Sequence, residues 1–166
     1  MKHLTIVFAA AAALATLGLT QPANAEGANR FFFEGDMVRG EQAGAPGPFC
    51  VLTSQFKRLE KVVWRVRVVD AAGKPVDDKG LKSLVIELPD GQKIPAHYDR
   101  HPPPHLGPAA DHFWSAVWII PGDYPSGTFA YKVTAIGTNG HSQTWQPFMM
   151  RPSQLTIAAS SIEFKK

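Results

Sequence analysis

Cysteine is all but missing. Cys50 stands alone in 166 residues, so no intrachain disulfide can staple the fold. A sustained 3.6-residue apolar period is also lacking, which excludes helical bundles and coiled coils. There are no internal repeats and no blocks of like charge. Charged residues make up 19% of the chain and the net charge is only +3, too little basic excess to argue for nucleic acid. Beyond residue 25 no apolar run approaches the ~20 residues of a membrane span. Several catalytic signatures are absent as well: no G-x-S-x-G elbow, no H-E-x-x-H pair and no glycine-rich phosphate loop. The sequence therefore points away from an enzyme.

What is present begins with an export signal. Met1-Lys2-His3 is a short positive start, residues 4–19 are apolar and alanine-rich, and Ala23-Asn24-Ala25 has the small-residue pattern of a cleavage site. Residues 1–25 are expected to be a signal peptide, leaving 26–166 as a single exported domain, periplasmic or secreted. A chain of this size buries roughly two-thirds of its unfolded surface, enough for one core without staples. Cys50 follows Gly47-Pro48-Phe49 rather than a lipobox and opens the apolar Cys50-Val51-Leu52. It is expected to be buried and inert, since a reactive thiol needs exposure and nearby positive charge.

The remaining signal is alternation with period two, bounded by Gly, Pro, Asn and Asp. Strands are expected at 31–33, 49–56, 61–69, 83–88, 92–98, 113–120, 129–136, 141–150 and 154–157, with 158–166 a frayed end. In 61–69, Val62, Trp64, Val66 and Val68 share one face, while Lys61, Arg65 and Arg67 crowd the other. Together with Lys57 and Arg58 they form a basic stripe, read as a solvated face with cross-strand partners such as Glu87. Pro89-Asp90-Gly91 supplies a hairpin turn. Pro95 places its strand at a sheet edge. Residues 113–120 are stopped by Pro121-Gly122, after which Phe129, Tyr131, Val133 and Ala135 point one way.

The corner at 121–127, followed by Tyr131-Lys132-Val133-Thr134-Ala135, resembles the penultimate strands of bacterial immunoglobulin-like and fibronectin-III-like domains. The resemblance implies an all-β fold, an immunoglobulin-like antiparallel β-sandwich of about seven strands. It implies no particular function, because such folds host many.

Candidate sites cluster around the proline-rich loop at 99–111. His97, His101, His105 and His112 lie close in sequence, with Cys50, Met149 and Met150 as sulfur donors, a set suited to copper. If Pro102-Pro103-Pro104 is a polyproline helix, His101 and His105 lie about 12 Å apart along it, so the rod cannot chelate alone. A metal site would need His97, His101 and His112 together at the loop base. Asp99, His101, Asp111 and His112 alternate acid with base, with Ser115 and Ser126 nearby, yet nothing orders them into a triad. The strand at 113–120 is apolar on both faces, Trp114 and Trp118 on one and Phe113, Val117 and Ile119 on the other, so both need cover. The stiff loop and that strand together read as a recognition edge of His101, His105, Leu106, Trp114 and Trp118. The expected function is an accessory binding module in the bacterial envelope that engages a protein partner, without cofactor. Periplasmic copper binding or carriage is the alternative.

Overall fold

Alternation decides which residues become strands, and side-chain burial decides how the strands face. In β3 (Lys61–Val69), Val62, Trp64, Val66 and Val68 are fully buried while the residues between them face out. The same rule builds β1 (Phe32–Arg39), β2 (Gln55–Arg58), β4 (Leu81–Glu87), β5 (Lys93–His101), β6 (Asp111–Ile119), β7 (Gly127–Phe129), β8 (Lys132–Gly137), β9 (Ser142–Trp145) and β10 (Leu155–Ser161). A 3-10 turn at Arg151–Ser153 precedes β10. The structure is a computed structural model that describes residues 30–103, 106–108 and 110–165; the expected export signal lies outside them. No helix among the described residues is long and apolar enough to cross a membrane.

The strands form two sheets. Seven make one antiparallel sheet in the order β1-β3-β6-β5-β4-β8-β9, and three make a small sheet in the order β2-β10-β7. Within the small sheet β10 runs parallel to β2 and antiparallel to β7. The large sheet curls until its two edge strands meet. There the Gln143 side chain stands in for a strand ladder: its Oε1 accepts the Phe31 N–H at 2.9 Å and its Nε2 donates to the Phe31 carbonyl. Phe33 and Trp145 stack across the same seam at 6.3 Å and 14°. One apolar core draws on both sheets, with Trp64, Leu84, Ile86 and Val133 from the large one and Phe56, Leu155 and Ile157 from strands of the small one.

Turn chemistry follows the sequence closely at 88–92. Gly91 takes φ 85° and donates to the Leu88 carbonyl, as a tight hairpin requires. Asp77 likewise accepts from Gly80 and Leu81 ahead of β4. Below the Pro121 corner, Tyr124 packs edge-on against Trp118 at 4.9 Å and Phe129 at 5.6 Å. The Arg58 guanidinium donates to the Tyr124 carbonyl at 2.7 Å and the Ala159 carbonyl at 3.0 Å, tying this corner to β10.

Several expectations are corrected. The described residues form ten strands rather than about seven. The expected strand at 49–56 survives only as Gln55–Arg58 and an isolated bridge between Leu52 and Val38. Cys50 is exposed with φ 58°, because the chain turns there to send Val51 and Thr53 back along β1. The run at 129–136 breaks at Ala130, giving β7 to the small sheet and β8 to the large one. The run at 141–150 is a strand only at Ser142–Trp145; Phe148, Met149 and Met150 lie exposed beyond it.

Pro95 sits in an interior strand. β5 pairs with β4 through Lys93, Ile94 and Pro95, and with β6 from Ala96 onward. The proline therefore falls where one partner is exchanged for the other and a missing N–H breaks no continuous ladder. The tail is held: β10 continues to Ser161, Ile162 is buried and donates to the Arg58 carbonyl, and Lys165 donates to Gly44.

Candidate functional site

The outward face of β1, β3, β6 and β5 carries the chemistry near the proline-rich loop. Register places Asp36 beside Arg65 and Arg65 beside Ser115, with Ser115 facing His97 in turn. Arg65 grips Asp36 with both arms, at 2.7 and 2.6 Å, the bidentate form that makes such pairs strong. That bond to Asp36 raises the guanidinium pKa further. Arg67 reaches Glu34 at 3.4 Å and also pairs with Asp111. The basic stripe is thus answered from β1 and β6; Glu87 instead lies opposite Lys93 and Lys132.

Aromatic packing extends this charged end. The Arg65 guanidinium carbon lies 5.9 Å from the Phe113 ring centroid, and His101 packs against Phe113 at 5.5 Å. Farther down the face the polar groups give way to Val63, Val117 and Ile119. Val117 is 52% and Ile119 48% exposed, although β6 lies inside the sheet with β3 and β5 on either side. A trough of about 310 Å³ runs here, with Cys50, Lys61, Arg65, His101, Phe113 and Val117 among its walls. Lys61, in register with Ile119, borders the apolar stripe and makes no ion pair among the described residues.

The expected recognition residues divide. His101 belongs to the trough. Leu106 is 65% exposed in the loop, and His105 lies outside the described residues. The loop is shorter than expected, since His101 and Asp111 still pair as strand residues. Leu106 donates to the Pro103 carbonyl at 2.9 Å, closing a turn in place of the expected extended rod. Arg100 Nη2 donates to the Gly107 carbonyl at 2.6 Å.

Trp114 and Trp118 are core residues, 4% and 6% exposed. Trp114 Nε1 donates to the Val76 carbonyl at 3.0 Å, and Trp118 packs against Trp64 and Tyr124. Their burial corrects the surface anchor expected there and leaves the opposite face of β6, Val117 and Ile119, to solvent.

The expected metal ligands do not gather. His97 and His101 share the outer face of β5 but are four residues apart, about 13 Å along a strand. His112 lies on the other face, stacked against Tyr98 at 6.1 Å. Two imidazoles on one metal need each nitrogen within about 2.1 Å of it, so this trio is not a ligand set. Among the described residues no three His, Cys, Asp or Glu side chains group to hold a metal. Nor does any hydrogen bond join Ser115 or Ser126 to a described histidine; Asp99 and Asp111 instead accept the N–H of the residue that follows each.

The apolar outer stripe was partly visible in sequence, because residues 113–120 are hydrophobic on both faces. Which face stays uncovered depends on the curl. No known family model matches the chain, and no curated protein does.

Proposed function

We propose that the chain is an exported binding module of the bacterial envelope, an accessory or adaptor that engages a protein partner through the trough on its outer face. The supporting observation is Val117 and Ile119, half exposed on a central strand where an isolated sheet would carry polar residues. Lys61, beside the stripe and without an ion pair among the described residues, fits a partner surface that is apolar at its centre and acidic at its border. His101 and Leu106 extend the same surface onto the loop. The export-type start at residues 1–25 supports a periplasmic or secreted location. The two sheets sharing one core, with the aromatic corner at Trp118, Tyr124 and Phe129, support reading the fold as a variant of the immunoglobulin-like β-sandwich. The chemistry proposed is recognition, without a cofactor.

A photo-crosslinking side chain at position 117, compared with one at exposed Lys82, tests this in the organism's own envelope. One adduct specific to position 117, abolished by Ile119→Asp with the melting temperature unchanged, is the expected result. Equal adducts at both positions, or an adduct indifferent to Ile119→Asp, would sink the reading.

A further inference from the structure

The curled sheet leaves a gap in its own hydrogen bonding. Along an antiparallel strand, successive residues direct their N–H and C=O alternately to one neighbour and the other. On β1 the odd-numbered residues face away from β3. Phe31 is met by Gln143, the Met37 carbonyl accepts from Thr53 at 3.1 Å, and Arg39 exchanges bonds with Val51 and Cys50 at 3.1 and 2.8 Å. Between them Phe33 and Gly35 point the same way and meet no backbone partner among the described residues.

The gap opens on a groove of about 400 Å³ walled by Met37, Leu52, Tyr131, Trp145 and Phe148. Gly35 is exposed, and a Cβ there would lie 3.5 Å from the Trp145 ring. Tyr131 is only 4% exposed, lines the groove, and its hydroxyl makes no hydrogen bond to a described residue. Its oxygen is not one of the buried polar atoms left without a partner, so it opens on the groove and is available to an occupant. The one charged residue in the lining is Asp36, and Arg65 neutralises it; an uncharged occupant is the electrostatic match. Phe148, 78% exposed, gives the groove an apolar lip.

We propose that this gap is a strand-acceptor site: an extended, uncharged, apolar segment of another polypeptide inserts beside β1, pairs with the free backbone of Phe33 and Gly35, and seats a side chain against Trp145 and Tyr131. Main-chain pairing supplies affinity and the groove supplies selection, as in other strand-addition complexes. This site is separate from the trough on the outer face, so its fate and that of the trough are decided independently.

Amide exchange followed by NMR on the whole mature chain tests it. In the free protein, Phe33 and Gly35 should exchange at least about tenfold faster than Glu34 and Asp36, which pair with β3. The capped peptide acetyl-Thr-Val-Thr-Val-Thr-amide should slow those two amides and shift the Trp145 indole signal. Tyr131→Phe should weaken the peptide about fivefold, the worth of one neutral hydrogen bond, without lowering the melting temperature. Free indole serves as the contrasting probe, since it can fill the groove but cannot pair as a strand. Protection of Phe33 and Gly35 before any peptide is added would overturn the proposal. So would a failure of millimolar peptide to protect them, or binding by indole alone, which would make the groove a small-molecule pocket.

Discussion

Tyr124 shows how one side chain couples the hairpin at 88–92 to the core. Its ring packs against Trp118 and Phe129, and burial, then the neighbouring Asp90 carboxylate, push its pKa from 10.0 up to about 12. A raised tyrosine pKa means that the folded state holds its proton more tightly than the unfolded chain does. The associated stability is complete below pH 10 and is lost as pH climbs from 10 to about 12. Burial shifts Tyr131 in the same direction. Thermal melts across that alkaline window should therefore fall steeply for the natural chain and less steeply for Tyr124→Phe, with Tyr131 still contributing. Identical slopes would show that Tyr124 is not the group responsible. Glu60 also links separate segments. It is 6% exposed and accepts the Lys57 N–H at 2.9 Å. It also stands 3.2 Å from Arg39 Nε, close enough for charge attraction though not aligned as a hydrogen bond.

At the scale of elements, the seam between β1 and β9 is where the large sheet is least conventional. Closure there rests on the side-chain amide of Gln143 and the Phe33–Trp145 stack. Gln143→Ala would leave the N–H and C=O of buried Phe31 without partners, at a cost of about 2 kcal/mol. Chemical denaturation should report that loss, and amide exchange at Phe31 should rise with it. A loss below about 0.5 kcal/mol would mean that water satisfies Phe31 as well as the glutamine does. The Pro95 junction works differently: β5 pairs with β4 before it and with β6 after it. One strand thereby joins the two halves of the sheet and lets it bend.

For the whole molecule, β10 is the piece on which the small sheet depends, since it lies between β2 and β7. It inserts Leu155 and Ile157 into the core, and Ile162 is buried just past its end. Burial of each such side chain contributes roughly 1.5–3 kcal/mol, and the β2 and β7 ladders are lost with them. Against a total stability of about 5–15 kcal/mol for a typical domain, a chain ending at Gln154 is expected not to fold. Circular dichroism without a cooperative thermal transition is the expected observation; a cooperative melt would show that the seven-stranded sheet stands alone.

The periodic stretches reveal strand identity and inward faces without any tertiary information. Val62, Trp64, Val66 and Val68, the Gly91 hairpin and the inward Tyr131-Val133-Ala135 series could all be read from local alternation and turn chemistry, because those are properties of neighbours in sequence. The tryptophans of β6 could not be placed that way. With both faces apolar, only the direction of curl decides that Trp114 and Trp118 go inside and Val117 and Ile119 stay out. Cys50 is exposed because its segment returns along β1, and the tail is ordered because β2 and β7 receive β10. The histidines near the loop divide between two faces because His97 pairs with Ser115, three residues from His112 on β6, and strand residues at odd separation project oppositely. Each of these outcomes depends on which distant strands become neighbours, and one-dimensional periodicity carries no record of that choice.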